Sequence, residues 1–139
     1  MKRAVVGVLA GALIFTGAGT ALAAWGKSMP LLESAGVEFA QGRYKFNPAG
    51  TNHGSFEWKG KLRDLSPGDG HNVYMQVRVE GHDWVRYYGK QGRSVSLHQS
   101  NWDGAQRYTT EVYIRACRDR GALRPDNCSR TKFYENRLG

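Results

Sequence analysis

Apolar and polar residues alternate along much of this chain, and this period-two pattern restricts the folds that it can adopt. The clearest example is residues 73–79, where the apolar residues occupy every second position: Val73, Met75, Val77 and Val79. Successive side chains of a β-strand point to opposite faces, so this spacing predicts a strand with one buried face. The 18 glycines supply turns between such segments, and no long helical pattern competes with them.

Further segments with the same alternation predict the rest of the fold. They are residues 37–46, 56–63, 83–88, 95–97, 108–117 and 128–134. About seven short strands with turns between them predict an all-β protein, an antiparallel β-sandwich or a small barrel. The strand over residues 37–46 either carries a bulge at Gly42 or breaks into a short hairpin. Residues 25–34 are expected to be a lead-in with one helical turn at 31–34, and Phe133 is expected to face inward.

The turn Glu80-Gly81-His82 decides the register of the central hairpin. A three-residue loop pairs Val77 with Val85 on the inner face. It also pairs Met75 with Tyr87 there, and it leaves these side chains outside: Trp84, Arg86 and Tyr88. A two-residue loop would exchange the two faces. We favour the three-residue loop because it keeps the arginine of this strand out of the core.

The first 23 residues have the features of a secretory signal peptide. Lys2 and Arg3 precede an apolar run at residues 4–15, which is too short to span a bilayer, and Ala21-Leu22-Ala23 offers small residues for cleavage. Cleavage near Ala23 would leave residues 24–139 as a single secreted β domain. No second long apolar run follows, so no membrane span is expected in the mature chain.

The net charge of the chain indicates which binding partners to expect. The chain has 20 Lys and Arg residues, two of them in the predicted signal peptide, against 12 Asp and Glu residues. The mature chain would therefore carry a net charge of +6, which favours anionic partners such as wall polymers. A basic surface that serves solubility alone is the alternative. Nucleic acid is not the expected partner, because no recognised nucleic-acid-binding motif is present.

Cys117 and Cys128 are the two cysteines of the chain. An even number of cysteines in an exported protein predicts a disulfide. A reactive thiol or a metal pair is the alternative, but no histidine lies within fifteen residues of either cysteine. In the chain-entropy model, closing so short a loop contributes roughly 3 kcal/mol to stability.

The C-terminal region resembles a known group of proteins. A strand that runs into Cys117-Arg118-Asp119, followed by Pro125-Asp126-Asn127-Cys128, is similar to the end of small exported proteins of actinomycete bacteria. The resemblance covers about 20 residues. It implies a disulfide-closed hairpin at a sheet edge and a secreted habitat, and it implies no activity.

The outward positions of the predicted strands combine cations with aromatic rings. Six of these residues form the candidate binding site: Tyr74, Arg78, Trp84, Arg86, Tyr88 and Arg115. Other outward basic or aromatic positions are Lys59, Lys61, Arg63, Tyr113, Arg130, Lys132 and Tyr134. Such a face would hold an anionic or polysaccharide polymer, with charge for affinity and rings for stacking. The alternative is a solvated sheet whose tyrosines support cross-strand packing.

The residues that carry catalytic chemistry are scattered. The histidines are isolated, although His82 and Asp83 are neighbours, and Glu57 and Glu111 could meet across the sheet. We therefore expect no catalytic residues, no metal and no cofactor, and we favour a binding protein over an enzyme. A second hypothesis is a secreted inhibitor or interaction protein whose disulfide loop presents Arg118, Arg120 and Arg124 beside Leu123. A third is a small secreted ribonuclease.

Overall fold

The structure, a computed structural model, describes residues 24–137, so the predicted signal peptide lies outside the described residues. It contains two antiparallel β-sheets that pack face to face. The strands are β1 Lys27–Ser28, β2 Leu32–Ser34, β3 Val37–Phe46, β4 Phe56–Asp64, β5 Val73–Val79, β6 Val85–Tyr88, β7 Ser94–Asn101, β8 Glu111–Arg118, β9 Asn127–Cys128 and β10 Lys132–Glu135. A 3₁₀ turn lies at Asn52–Gly54.

The first sheet has the order β9–β8–β5–β6, with β10 also pairing with β8. The second sheet has the order β1–β3–β4–β7, with β2 also pairing with β3. The predicted all-β class is confirmed, and the architecture is the sandwich. The strand count exceeds the expected seven because short strands of two to four residues line the edges.

The core lies between β3 and β4 of one sheet and β5 and β8 of the other. Its largest fully buried side chains include Phe39, Trp58 and Ile114. The ring of Phe39 rests against the backbone of Gly60, where an added Cβ would lie 2.3 Å from the ring. A side chain at position 60 would therefore displace the Phe39 ring from its place in the core.

The predicted register of the central hairpin is confirmed. Val77 is opposite Val85, and Met75 is opposite Tyr87. Tyr87 packs against the core, as expected. Val85 does not, since it is 45% exposed at the sheet edge, so its expected inward position is wrong.

The segment around Gly42 is one strand with a bulge, which was one of the two alternatives. The register of β3 against β4 shifts between Ala40 and Arg43, and Gln41 has a φ of 57° within the bulge. The helical turn expected at residues 31–34 is wrong. Residues 32–34 pair with β3 as β2, because their inward side chain Leu32 is buried beneath the sandwich edge.

The last predicted strand is divided, and this division reverses its faces. Residues 129–131 separate β9 from β10, each of which pairs with β8, so the alternation counted from Cys128 does not continue. Phe133 is 45% exposed on the outer face, and its expected inward position is wrong. Tyr134 packs against Tyr44 and Phe56 between the sheets instead. Burial there raises the pKa of Tyr134 to about 12.

The disulfide between Cys117 and Cys128 is present. The two residues are direct partners in the pairing of β8 with β9, and their sulfur atoms are 2.04 Å apart. The bond closes the loop of residues 118–127. Within residues 24–137, no helix is long and apolar enough to cross a membrane.

Candidate functional site

The outer face of the first sheet brings the predicted site residues together. The strand register places Arg115 of β8 opposite Gln76 of β5, and Gln76 opposite Arg86 of β6. Arg78 of β5 lies one row further toward the hairpin turn, where Trp84 reaches it. We name the open part of this surface the arginine face. Its residues are Arg78, Trp84, Arg86, Tyr113, Arg115 and Phe133.

Trp84 lies against two arginines. The guanidinium carbon of Arg115 is 4.3 Å from the centre of the Trp84 ring, and that of Arg78 is 5.2 Å from it. Arg78 also lies 4.6 Å from the ring of Tyr113. A cation that lies over an aromatic ring is attracted by the ring, and this contact limits its movement. These contacts therefore hold the two arginines in place.

Aromatic rings and one cation form a row across the strands of the arginine face. Tyr113 is the register partner of both Phe133 on β10 and Arg78 on β5, and Trp84 follows beyond Arg78. The rings of Tyr113 and Phe133 have centroids 5.0 Å apart. Because neighbouring strands are about 4.8 Å apart, the row extends over roughly 14 Å.

A second row of residues lies on the same face, further from the hairpin turn. The Nε of Arg115 donates to Oε1 of Gln76 at 2.8 Å. The guanidinium of Arg86 lies 4.3 Å from the ring of Tyr74, and its Nη1 donates to the hydroxyl of Tyr88 at 3.1 Å. These contacts fix the direction of both arginines before any ligand arrives.

Tyr74 is not part of the open surface, which corrects its place in the predicted site. It is only 1% exposed, because the disulfide loop folds over it and Asp126 accepts a hydrogen bond from its hydroxyl. Burial and this bond raise the pKa of the Tyr74 phenol. Burial alone would raise the pKa of the Asp126 carboxyl, but bonds from Tyr74 and from the amide of Arg120 lower it overall.

The remaining basic positions do not extend the arginine face. Lys59, Lys61 and Arg63 lie on β4 of the other sheet, so they face the opposite side of the molecule. Lys132 is the register partner of the inward residue Ile114, and its ammonium lies 6.0 Å from the Tyr134 ring at the sandwich edge. The predicted single outward surface is therefore two surfaces back to back.

Two histidines pair with carboxylates, but not with those expected. His82 contacts Asp103 at 3.1 Å rather than its neighbour Asp83. His98 contacts Glu57 at 2.6 Å. Glu57 and Glu111 do not meet, because they belong to different sheets.

Both pairs orient an imidazole ring through a carboxylate. Burial alone would raise the pKa of the Glu57 carboxyl, but hydrogen bonds from Asn47, His98 and Asn52 outweigh it and lower the pKa. In the described part of the chain, no serine, threonine or cysteine hydrogen-bonds to either histidine ring. Among residues 24–137, no three His, Cys, Asp or Glu side chains are grouped to bind a metal ion.

The disulfide loop presents one apolar residue. Leu123 is 98% exposed at the loop tip. Arg118 does not project beside it, as the inhibitor hypothesis expected, because its Nη2 lies 2.8 Å from the Asp69 carboxylate. The loop is attached at its base, where Asp126 accepts hydrogen bonds from the amide of Arg120 and from Tyr74.

Sequence reasoning left two residues out of the candidate site. Tyr113 was noted as outward but was not included, and Phe133 was expected inward. The strand is interrupted at residues 129–131, so side-chain alternation counted from Cys128 does not predict the face of Phe133. Comparison of the chain with protein-family models, curated proteins and solved structures finds no match. The resemblance to exported actinomycete proteins stays a prediction.

Proposed function

We propose that the protein is a secreted, non-catalytic binding protein for an anionic polymer of the extracellular space or cell wall, with a polysaccharide as the preferred class. The row of Phe133, Tyr113, Arg78 and Trp84 across the first sheet is the observation that carries this proposal. Export rests on the predicted signal peptide, and the disulfide is consistent with an oxidising compartment.

The chemistry of the arginine face suits a chain that has both rings and charges. A sugar ring stacks on aromatic faces, and Phe133 offers one that is exposed. The arginines beside them offer planar pairs of N–H donors that match carboxylate and phosphate oxygens. A ligand with both features would use the whole row, whereas a small anion would use one arginine only.

The position of the row also favours a long ligand. The disulfide loop covers the Tyr74 end of the sheet, and the hairpin turn lies at the other end. Between them the surface is open toward the β10 edge, where Phe133 is exposed. A polymer would therefore run across the strands, roughly at right angles to them.

Sedimentation of the mature protein with insoluble wall material, chitin and cellulose, at low and high salt, tests the proposal. We expect retention on an anionic wall fraction that survives moderate salt, because stacking is not screened by ions. Trp84→Ala should reduce retention about tenfold, and Arg78→Ala combined with Arg115→Ala should reduce it at least as much.

Matched controls separate this site from general stickiness. Trp102→Ala removes an exposed tryptophan that stacks on His53 instead, and Lys90→Ala with Arg93→Ala removes two exposed charges elsewhere. Both should retain binding. Equal losses in the controls and in the arginine-face variants would mean that binding is nonspecific, and the proposal would then fail.

A protein partner remains the second candidate, because Leu123 is 98% exposed on a disulfide-closed loop. A loop that is held at its base and apolar at its tip can enter a pocket of another secreted protein, such as a protease. Incubation with trypsin distinguishes the two outcomes. An intact loop with loss of trypsin activity supports an inhibitor, and rapid cleavage after Arg120 or Arg124 excludes one for this enzyme.

A further inference from the structure

The outer face of the second sheet carries a cationic groove that the proposed polymer site does not use. This lysine groove is shallow, with a volume of about 320 Å³. The residues that line it are Gln41, Lys59, Gly60, Lys61, Ser96, Leu97 and His98. Because the two sheets pack by their inner faces, the groove and the arginine face lie on opposite sides of the molecule.

Short neighbouring side chains keep the groove open. In the register of the second sheet, Lys61 lies between Ala40 of β3 and Ser96 of β7. The bulge at Gln41 adds a residue to β3 beside it and bends this strand locally. The ammonium of Lys61 is thus exposed above a floor of small side chains and backbone.

Strand β4 presents four charged side chains in succession to this surface, and the outer two are compensated. Glu57 accepts hydrogen bonds from Asn47 and Asn52 and contacts His98. At the other end, Arg63 donates to the carboxylate of Glu38 at 2.9 Å. These contacts leave the middle of the strand as the site of unbalanced charge.

Lys59 and Lys61 occupy that middle section. Among the ion pairs of residues 24–137, none involves either lysine. Residues two apart on a strand are roughly 6.6 Å apart and point to the same face, so the two ammonium groups repel each other. An anion between them would turn this repulsion into two attractive contacts.

Trp25 contacts two residues of the groove. The ammonium of Lys59 lies 4.4 Å from the centre of the Trp25 ring, and the centroids of the His98 and Trp25 rings are 5.5 Å apart. Arg43 donates to the backbone carbonyls of Trp25 and Gly26, which anchors this segment on β3. The position of the Lys59 ammonium is therefore restricted by its contact with Trp25.

We infer that the lysine groove binds a tetrahedral oxyanion, a phosphate or sulfate group, between the ammonium groups of Lys59 and Lys61. The hydroxyl of Ser96 lies in the same groove as a further donor. The group is either a free ion or an ester on a larger molecule. This inference does not rest on the proposed function, because no residue of the arginine face takes part.

Titration of the ¹⁵N-labelled protein with inorganic sulfate and with inorganic phosphate, at constant ionic strength, tests the inference. We expect saturable amide shifts centred on residues 59–61 and 96–98. Lys61→Gln should weaken binding about tenfold, and Lys61→Arg should retain it. Lys90→Gln removes an exposed lysine of a turn and should change nothing. Shifts that never saturate, or equal effects of Lys61→Gln and Lys90→Gln, would overturn it.

A second arm identifies the source of the group. Sulfated dextran is compared with unmodified dextran and with inorganic sulfate, and the same amides are followed. Tighter binding of sulfated dextran than of sulfate supports an ester on a polymer, and similar affinities support a free ion. The Arg78→Ala/Arg115→Ala variant should bind sulfate normally in the groove, so failure of the arginine face and failure of the groove can be told apart.

Discussion

The two outer faces of the sandwich each place one tryptophan against two cations, but the cations are arginines on one face and lysines on the other. On the arginine face, Trp84 lies against Arg78 and Arg115, which belong to the two central strands of their sheet. On the opposite side, Trp25 lies 4.7 Å from Lys45 and 4.4 Å from Lys59. Trp25 precedes β1, and Arg43 donates a hydrogen bond to the backbone carbonyl of Trp25.

The difference follows from the two kinds of cation. A guanidinium is planar and weakly hydrated, so stacking and hydrogen bonds such as that between Arg115 and Gln76 hold it without a ligand. An ammonium is compact and strongly hydrated, and it gains less from a ring. The arginine face is therefore preorganised in the free protein, whereas the lysine groove gains most when an anion is present.

Removing the disulfide should affect the arginine face far more than the lysine groove. Cys117→Ser combined with Cys128→Ser should lower the free energy of unfolding by about 3 kcal/mol, because the unfolded chain gains the entropy of the opened loop. Urea denaturation measures this loss. Hydrogen exchange should rise around Tyr74 and Arg86, while β4 and β7 keep their relative protection.

A substitution at an almost fully exposed residue of the same loop provides the control. Leu123→Ser alters a residue that is almost fully exposed, and it should leave stability within about 0.5 kcal/mol of the starting protein. Equal loss of protection in both sheets of the disulfide variant would contradict the view that the loop braces the arginine face alone.

The next effect in size concerns Asp126, which joins the loop to Tyr74 and Arg86. Its pKa is lowered in the folded protein, so its contribution to stability is present above the unfolded pKa of about 3.9 and is lost as the pH falls through the folded value. Asp126→Asn should cost about 1–2 kcal/mol at pH 7 and flatten the fall in stability below pH 4. Thermal unfolding from pH 2 to 7 measures both.

Asp119→Asn is the matched control for this change. Its carboxylate accepts a hydrogen bond from the amide of Gly121 within the same loop, and it does not join the loop to the sheet. We expect a smaller loss of stability at pH 7. If both variants lose the same stability, the link from Asp126 to Tyr74 is not what holds the loop down.

The smallest effects should come from the stacked pairs themselves. Double-mutant cycles should give a coupling of about 1 kcal/mol for Trp84 with Arg115, and about 0.5 kcal/mol for Trp25 with Lys59. Urea unfolding of each alanine variant supplies the values. A cycle between Trp84 and Lys59, which lie on opposite faces, should show no coupling. A larger coupling for Trp25 with Lys59 would mean that the ammonium, and not the guanidinium, is held more firmly by its ring.

Much of the fold was predictable from the sequence because the long strands are half buried. The alternation through β5, with the need to keep Arg86 out of the core, was enough to predict the pairing of Val77 with Val85. The short edge strands were not predictable in the same way. Strands of two or three residues, such as β1, carry no measurable period, and neighbouring β3 supplies their hydrogen bonds.

The sequence predicted several residues of the candidate site but not the boundaries of the site. The outward positions of β5, β6 and β8 followed from parity, so Arg78, Arg86 and Arg115 were correctly placed on one face. Which strands share a sheet does not follow from parity, so the lysines of β4 were joined to this face wrongly. The burial of Tyr74 depends on where the disulfide loop folds, which local pattern does not encode.

The divided edge of β8 has a consequence for how two copies of this chain can meet. β9 and β10 each cover part of that edge, and β1 and β2 divide the neighbouring edge of the other sheet. An extended chain that adds to a sheet needs a long run of free backbone groups, and these pieces span only two to four residues. Of the edges within residues 24–137, the eight residues of β7 alone offer such a run. Self-association by strand exchange or fibril growth is thereby confined to one border of the molecule, beside His98 and Ser96.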